Sequence, residues 1–399
     1  MGIGPASFAF TVLLGLLAAL PALSIDMSAP TLVFLPQAFG TSAMVAGLTL
    51  SLFMGGFALR QLGGGLLSDR FGRRPVLLVA LVCYSAAGAA CALAPTAYAL
   101  VFSRLVQGVG AGSCSVQAFA IVQDLFEGDA ARAKRSYVTV IFGIVPMFAP
   151  AVGSLLSGLA GWRSVHSVLA LAGGLLLIVT WQALAESSPG KLKVSAPPIA
   201  AAAKHIWRDS SFVGLATANA LSYGCVFAYI AGSPVVIMSQ LGLSSAVFAG
   251  LFACTAAALT AGAWTSGRLA RNGFGAVALL GPSLTAGAAV AVALGAASLA
   301  HVTSGMVLVP LLLIMAFARG ITAPNLQHLA IERRRGQAGA ASAVIGISQI
   351  LAGALASAGV AVLLSRLGPA AVAIPMALLA SAALLVWRGT TGGYEVRVA

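Results

Sequence analysis

Asp26 and Arg104 are ionisable residues inside long apolar segments of this sequence, where a charge is expensive. Asp26 lies within the apolar segment 7–35, and Arg104 lies within the segment 98–120, in the stretch LVFSRLVQGVGAG. A charged side chain at the centre of a membrane helix costs about 2.5–3.5 kcal/mol on insertion scales, so each residue is a functional candidate. Burial disfavours the charged form of a carboxyl group. Asp26 is therefore suited to taking up a proton on one side of a membrane and releasing it on the other.

A proline follows Asp26 by one helical turn. Pro30 removes a backbone donor and frees a carbonyl group close to Asp26. Broken helices that carry polar groups are a way in which transporters build ion sites. The alternative is that Asp26 marks the end of a helix, but residues 29–39 would then form a long apolar loop.

Arg104 must face water, an acid or backbone carbonyl groups, because an arginine stays protonated. Gln107 lies one turn away, and Gly108 and Gly110 permit a neighbouring helix to approach closely. The alternative is an arginine that snorkels to the membrane surface. Arg319, in the apolar segment 302–324, has the same two interpretations.

The stretch GLLSDRFGRRP, residues 65–75, is the most distinctive connection between apolar segments. Asp69 can accept charge-assisted hydrogen bonds from an arginine of this stretch or from the N-terminus of a neighbouring helix. We expect the stretch to hold one conformation of a cytoplasmic face, and an ordinary positively charged loop is the alternative. The candidate gating residues here are Gly65, Asp69, Arg70, Gly72, Arg73 and Arg74.

The apolar segment 137–160 carries two prolines four residues apart. Pro146 and Pro150 free two backbone acceptors, and Gly153 lets another helix pack closely. This pattern is typical of a helix that bends or seals a conformation. Structural packing alone is the alternative.

The elements that must position these residues follow from the composition. The chain has 399 residues, of which 60% are hydrophobic and 8% are charged, whereas soluble proteins carry about 25% charged residues. Disordered chains are poor in apolar residues, so the remaining class is an all-α polytopic membrane protein. A membrane-crossing helix needs about 20 apolar residues. Twelve such spans are predicted at approximately 7–35, 42–62, 75–94, 98–120, 137–160, 165–185, 212–238, 245–266, 274–298, 302–324, 338–365 and 370–387.

The distribution of basic residues predicts the orientation. With twelve spans, every Lys and Arg except Arg60, Arg104, Arg163, Arg319 and Arg366 lies in a connection or terminus on the side of the N-terminus. Positive residues accumulate in cytoplasmic loops. Both termini are therefore predicted to be cytoplasmic, in a multi-pass protein of the cytoplasmic (inner) membrane. The net charge of +13 is explained by these basic residues on the cytoplasmic side of the membrane. It requires no nucleic acid as a partner.

The chain is predicted to consist of two halves. Residues 186–211 are polar and contain no apolar run, which predicts a cytoplasmic linker between six-helix bundles at 1–185 and 212–399. Residues 68–73, SDRFGR, and residues 266–271, SGRLAR, follow spans 2 and 8 respectively. Two six-helix halves related by a parallel repeat are a known transporter plan.

These stretches together resemble the major facilitator superfamily, and specifically the twelve-span drug:proton antiporters of the bicyclomycin- and chloramphenicol-resistance (Bcr/CflA) branch. Residues 65–74, G-x-x-x-D-R-x-G-R-R, are similar to the signature of the loop between spans 2 and 3, and residues 104–110, R-x-x-Q-G-x-G, are similar to the fourth-helix signature. Asp124 ends span 4 after a glutamine where many relatives have arginine. The span 5 motif is degraded, because Ala149 and Ser154 replace two of its glycines. In the span 1 motif, D-M-x-x-P at 26–30, Ser28 stands where tyrosine is common.

The resemblance implies export of small, largely apolar drug-like compounds in exchange for protons. Asp26 would carry the proton, and Arg104 would bias its protonation by Coulomb attraction when the two are near. The resemblance adds Asp124 to the gating residues, together with Pro146, Pro150 and Gly153. The substrate-binding candidates are Asp26, Met27, Arg104, Gln107, Asn219, Tyr223, Phe227, Tyr229 and Asn325, each with helix packing as its alternative.

Other functions are weighed against this one. A proton-coupled transporter of a metabolite, such as a nucleoside, sugar or amino-acid derivative, has the same fold and would work by export or by symport into the cell. An enzyme is disfavoured because the four histidines are scattered and the five cysteines form no Cys-x-x-Cys pair. The sequence has no phosphate-binding glycine motif, which disfavours ATP as the energy source. It also lacks the repeated rings of charge that an ion channel would carry. We therefore expect no cofactor, a proton gradient as the energy source, and a monomer in the lipid bilayer.

Overall fold

The computed structural model describes residues 4–62, 66–187, 209–302, 304–334 and 338–391. In this part of the chain, twelve helices are long and apolar enough to cross a membrane, so the predicted number of spans is confirmed. The predicted linker falls largely on residues 188–208, which lie outside the described residues. The spans are Phe8–Val33, Ala43–Gln61, Arg73–Ala92, Ala97–Leu125, Ala133–Ala160, Trp162–Ala183, Ser210–Gln240, Ser245–Arg271, Ala276–Leu299, Gly305–Glu332, Ala340–Leu364 and Ala370–Thr390.

Several helices extend beyond the predicted apolar segments, because a helix continues into water after its apolar run ends. Span 4 continues to Leu125 and span 10 to Glu332. Span 5 is part of a longer helix, Gly128–Ala160, that begins with a polar turn. Predictions that ended each span at its last apolar run were therefore too short at these ends.

Span 1 changes its helical form close to Asp26. The α-helix Phe8–Ser28 passes into a 3₁₀-helix, Ala29–Val33, with Pro30 in its first turn. Asp26 thus lies in the last third of span 1 and just before the change. The short α-helix Leu35–Phe39 follows and ends at Gly40, in the left-handed conformation with φ 60°.

The stretch predicted as the loop between spans 2 and 3 is partly helical. A short helix, Leu66–Phe71, is followed by Gly72 with φ 92°, and span 3 begins at Arg73 rather than at residue 75. Pro75 does not prevent this earlier start, because a proline is tolerated in the first helical turn, where its missing N–H would have no helical partner.

The chain divides into two compact units, Met1–Ala196 and Pro197–Ala399. In the first unit, span 4 packs against spans 1, 2 and 3, while span 1 packs against span 5 and span 3 against span 6. In the second unit, span 10 packs against spans 7, 8 and 9, while span 7 packs against span 11 and span 9 against span 12. Adding six to each span number converts the first set of neighbours into the second, as expected for a parallel repeat.

The two units also share a crossing built on glycine. In the first unit, a Cβ atom at Gly56 would overlap the carbonyl oxygen of Leu105, and one at Gly108 would overlap that of Phe53. In the second unit, Gly262 meets the carbonyl oxygen of Phe317 and Gly320 that of Leu259 in the same way. Small residues let membrane helices approach to this distance. Spans 2 and 4, and likewise spans 8 and 10, therefore cross with their backbones in contact.

Candidate functional site

The first unit holds a buried polar network around Arg104. Its side chain is fully buried, with Nη1 donating to Gln107 Oε1 (2.8 Å) and Nη2 donating to Ser28 Oγ (2.9 Å) and to the carbonyl oxygen of Ser24 (3.2 Å). The guanidinium carbon lies 4.3 Å from the centre of the Phe53 ring. The first unit therefore stabilises the charge of Arg104 with neutral oxygens and an aromatic face.

Two serines of span 1 hold this network in place. Ser24 Oγ donates to the carbonyl oxygen of Leu20 (2.7 Å) and shares a hydrogen bond with Tyr84 Oη (2.6 Å). Ser28 Oγ donates to the Ser24 carbonyl oxygen (2.7 Å) and accepts from Arg104. Ser24 and Ser28 are four residues apart and share one face of the helix. This face, with Tyr84 from span 3, forms the wall that receives Arg104.

Asp26 is buried but does not belong to that wall. It is 4% exposed, and no hydrogen bond or ion pair joins its carboxyl group to any residue in the described ranges. Residues two apart in an α-helix differ by about 200° in direction, so Asp26 faces away from Ser24 and Ser28. Arg104 is expected to act on Asp26 directly, but the two residues form no ion pair in this conformation.

The remaining predicted residues of this region have different surroundings. Met27 is buried in an apolar cluster with Ala149, Val165 and Leu169. Gly153 packs against Met27, because a Cβ atom at Gly153 would overlap the Met27 carbonyl oxygen. These contacts join spans 1, 5 and 6.

Span 5 is one continuous helix through both of its prolines. Pro146 is half-buried and Pro150 is buried. The backbone carbonyl groups freed by the two prolines lie within this unbroken helix. Span 5, which is predicted to bend or to seal a conformation, is therefore one continuous helix in this structure.

A second polar cluster lies at the predicted cytoplasmic end of the first unit. Arg73 Nε donates to Asp124 Oδ2 (2.8 Å), and Arg73 Nη1 donates to Ser68 Oγ (2.6 Å). The two carboxylate oxygens of Glu186 accept from the backbone N–H groups of Arg73 (2.9 Å) and Arg74 (3.0 Å). A carboxylate at a helix N-terminus is stabilised by the unpaired N–H groups and by the helix dipole.

Glu186 is the residue that the sequence did not identify in this cluster. Its carboxylate accepts hydrogen bonds from the N–H groups at the N-terminus of span 3. The sequence suggests this role for Asp69, whose side chain is not among those described. A Cβ atom at Gly72 would lie 2.7 Å from Glu186 Oε2, so the glycine permits this approach. The only sequence signal is an isolated acid directly after span 6.

The other predicted gating residues contribute less to this cluster. Arg70 is exposed, with its guanidinium 5.3 Å from the Phe71 ring centre. Arg74 Nη2 donates to the carbonyl oxygen of Trp181 (2.6 Å). Gly65 lies outside the described residues.

In the second unit, span 7 presents a face with an amide and two aromatic rings. Asn219, Tyr223 and Phe227 are spaced four residues apart and share this face. Asn219 is fully buried and neither of its amide atoms has a hydrogen bond within the described ranges. The rings of Tyr223 and Phe227 stack with centres 4.8 Å apart.

Tyr229 and Asn325 both contact span 8. Tyr229 stacks on Phe252 of span 8, with ring centres 6.1 Å apart. Asn325 Nδ2 donates to Ser266 Oγ (2.7 Å) and to the carbonyl oxygen of Ile321 (2.7 Å). Asn325 thus joins span 10 to span 8.

The His, Cys, Asp and Glu side chains of the described residues do not assemble into a metal site or a disulfide. Within the described ranges, no three His, Cys, Asp or Glu residues come together as a metal site would require. The described cysteines form no disulfide, and Cys91, Cys114 and Cys225 are buried.

The fold and its buried polar groups define a twelve-span helical membrane transporter built from two six-helix units. The chain belongs to the Major Facilitator Superfamily, whose family profile matches residues 14–357. The superfamily and the fold class predicted from the sequence are thereby confirmed. Membership also identifies a membrane transporter rather than an enzyme.

Three relatives are similar in sequence. The uncharacterized MFS-type transporter YdgK of Bacillus subtilis is 31% identical over 89% of this chain and 89% of its own length. The chloramphenicol resistance protein of Pseudomonas aeruginosa is 31% identical over 63% of this chain and 59% of its own. The multidrug resistance protein MdtL of Klebsiella pneumoniae is 31% identical over 56% and 57%. The last two likenesses thus span less than two thirds of those proteins.

Solved structures agree with the fold. A D-xylose-proton symporter has a TM-score of 0.74 at 19% identity, covering 96% of this chain and 97% of its own. A bacterial homologue of the human lysosomal transporter Spinster has a TM-score of 0.74 at 16% identity, covering 98% and 94%. At these identities the likeness concerns the fold alone.

Proposed function

We propose that this protein is a proton-coupled exporter of small, largely apolar compounds that works by alternating access. The names of two relatives, a chloramphenicol resistance protein and a multidrug resistance protein, support export of drug-like molecules. We further propose the cytoplasmic membrane as its location, with both termini in the cytoplasm, and a monomer as the working unit.

The observation that carries the proposal is the position of Asp26. It is the only acid within the apolar part of a described span, and it is buried without a partner among the described residues. A carboxyl group in such surroundings can exchange a proton without first breaking an ion pair. Asp124 and Glu186, by contrast, already accept hydrogen bonds in the cluster at Arg73.

Arg104 acts as a fixed charge in this mechanism. Its guanidinium is tied to the helix face opposite Asp26 by Ser24 and Ser28. Rotation or unwinding of span 1 at the junction after Ser28 would change the distance between Asp26 and Arg104. A shorter distance favours the ionised carboxylate, so this movement would couple proton release to conformation.

The energy for export comes from the proton gradient. Each elementary charge that moves through 100 mV contributes about 2.3 kcal/mol. Export of a neutral compound against entry of one proton therefore concentrates the compound outside the cell. Protonation of Asp26 favours one facing state, and substrate binding favours release of the proton.

The cluster at Arg73 is assigned to gating. Asp124 at the end of span 4, Arg73 at the start of span 3 and Glu186 after span 6 are joined by hydrogen bonds of 2.8–2.9 Å. A change of conformation that separates these helices must break charge-assisted hydrogen bonds. The cluster therefore stabilises the conformation in which spans 3, 4 and 6 meet.

Substrate is assigned to the face of span 7 that carries Asn219, Tyr223 and Phe227. An unpaired amide beside stacked aromatic rings suits a pocket that binds varied, mostly apolar ligands. Met27 and Asn325 are less suited to this role, because the first lies in an apolar cluster and the second joins two helices.

The test begins with a resistance screen of an expressing strain against many antibiotics and metabolites. In everted membrane vesicles with a pre-formed pH gradient, a compound to which the strain is resistant should dissipate the gradient. Asp26→Asn should abolish this response, while Glu332→Gln, a matched change at an exposed acid, should leave it intact. A strain that accumulates the compound instead would establish the alternative, a proton-coupled importer.

A further inference from the structure

The second unit contains a buried arginine that its own residues do not satisfy. Arg319 of span 10 is 8% exposed, and its Nε and Nη1 atoms have no hydrogen-bond partner within the described ranges. An arginine in the membrane is costly unless it is paired or faces water.

The carboxylates of the second unit are engaged elsewhere. Asp209 Oδ2 lies 3.1 Å from Arg334 Nη2, and Asp209 also caps the helix of span 7 through the N–H groups of Ser211 and Phe212. Glu332 lies 3.5 Å from His328 Nε2. Neither of these acids forms an ion pair with Arg319, and they are the two acids of this unit that the structure describes.

Two neutral side chains of span 7 lie near Arg319. Tyr223 and Cys225 of span 7 lie within electrostatic range of its guanidinium. The Cys225 thiol donates to the carbonyl oxygen of Met376 (3.5 Å). Tyr223 stacks on Phe227, and Asn219, one turn earlier on the same face, is a second buried group without a hydrogen bond among the described residues.

The internal repeat allows Arg319 to be compared with the equivalent residue of the first unit. The glycine crossing places Gly320 in the second unit where Gly108 stands in the first, so Arg319 occupies the position of Gln107. Gln107 accepts a hydrogen bond at Oε1 from Arg104, three residues earlier. The corresponding residue in span 10 is Ala316, which offers no side-chain polar group, and the guanidinium of Arg319 remains without that partner.

We propose that Arg319 binds an acidic group of the transported compound: a carboxylate, sulfonate or phosphonate attached to a planar ring. A guanidinium offers parallel N–H donors that match such a group bidentately, and the rings of Tyr223 and Phe227 provide an aromatic surface for the ring of the ligand. Asn219 supplies a further donor on the same face. The identification of this face as part of the substrate site rests on the proposed transport function, whereas binding of an anion to it does not require proton coupling.

The test measures binding to the purified full-length protein, without a proton gradient. Tritiated 1-naphthoate is bound in a scintillation proximity assay and displaced by unlabelled 1-naphthoate or by neutral 1-naphthamide; phenylphosphonate and its neutral diester form a second pair. The wild type should bind the anion of each pair at least about tenfold more tightly, as expected for one charge-assisted contact in a buried site.

Three variants assign the preference to Arg319. Arg319→Gln should abolish it, and Arg319→Lys should retain part of it because the charge remains while the paired donors are lost. Arg366→Gln, which removes the same charge from an exposed position, should bind as the wild type does. If Arg319→Gln does not fold, an Arg319→Lys variant with unchanged anion affinity overturns the proposal.

The outcomes separate this proposal from the transport function. Equal binding of anion and neutral analogue by the wild type in both pairs, or a preference that persists in Arg319→Gln, contradicts the assignment of Arg319. A preference that depends on Arg319 supports it even if vesicles show no proton-coupled export. Proton-coupled export of neutral compounds only, with no anion preference, would leave the transport function standing and overturn this proposal.

Discussion

The two units place an arginine in equivalent helices but satisfy it differently. Arg104 of span 4 is bonded to Gln107, Ser24 and Ser28 and lies over Phe53. Arg319 of span 10 leaves Nε and Nη1 without partners among the described residues. A repeated scaffold has therefore produced one arginine with both Nη atoms hydrogen-bonded inside its unit, where only Nε lacks a described partner, and one with both Nε and Nη1 without described partners.

This difference separates a coupling role from a binding role. A buried charge that is held by hydrogen bonds at both of its Nη atoms stays in place and can act on a nearby titrating group, here Asp26. A buried charge without partners is costly to the fold, and that cost is offset only when something else supplies the acceptors.

The largest contrast is expected between Arg104→Gln and Arg319→Gln. Arg104→Gln removes three hydrogen bonds and leaves buried acceptors at Ser28 and Gln107, which predicts a loss of about 2–4 kcal/mol in the free energy of unfolding. Arg319→Gln removes an unpaired buried charge and should leave stability unchanged or raise it. Thermal unfolding of the purified variants, followed by tryptophan fluorescence, measures both. Equal losses would mean that Arg319 has structural partners after all.

A smaller and equal effect is expected at the two glycine crossings. Gly108→Ala and Gly320→Ala each place a methyl group on a backbone carbonyl oxygen of the facing helix, which predicts a loss of about 1–3 kcal/mol for each. Gly143→Ala and Gly359→Ala, where a Cβ atom would meet nothing within 4 Å, are the matched controls. A loss at only one crossing would show that the two units do not pack equivalently.

The cluster at Arg73 should affect transport more than stability. Asp124→Asn and Glu186→Gln each remove a charge that accepts from span 3, predicting a loss of about 1–2 kcal/mol from the conformation that the cluster stabilises. The rate of transport and its apparent substrate affinity should therefore change together, measured as initial rates in vesicles. A double variant that is no worse than either single variant would indicate one cooperative unit, whereas unchanged rates in all three would remove the cluster from gating.

The smallest effect is expected at Asp209 in the second unit. Its ion pair with Arg334 is partly exposed, with side chains 26% and 18% exposed, and an asparagine is also a good N-cap. Asp209→Asn should therefore cost no more than about 0.5 kcal/mol in thermal unfolding. A loss as large as that of Asp124→Asn would show that the two charge pairs are equivalent.

Much of the architecture could be predicted from the sequence. A segment that crosses a membrane must be a helix to satisfy its backbone groups and must be apolar to lie in the hydrocarbon core, so each span is visible as an apolar run. The number of spans and the family followed from these runs and from the motifs around Asp69 and Arg104. Span ends were less accurate, as at Leu125 and Glu332, because a helix continues after hydrophobicity ends.

The pairing of side chains could not be predicted in the same way. Asp26 and Arg104 were each identified, but the direction of Asp26 relative to Ser24 and Ser28 depends on how span 1 is rotated against span 4. Glu186 reaches Arg73 across 113 residues of sequence, which only the fold brings together. Arg319 was ambiguous, because burial inside a bundle is a tertiary property.

The central claim, that Asp26 carries the proton, is tested most directly by comparing two modes of transport in proteoliposomes. With a compound identified by the resistance screen, Asp26→Asn should still exchange labelled for unlabelled compound across the membrane but should lose accumulation driven by a pH gradient, while Glu332→Gln retains both. Full pH-driven accumulation by Asp26→Asn would contradict the account.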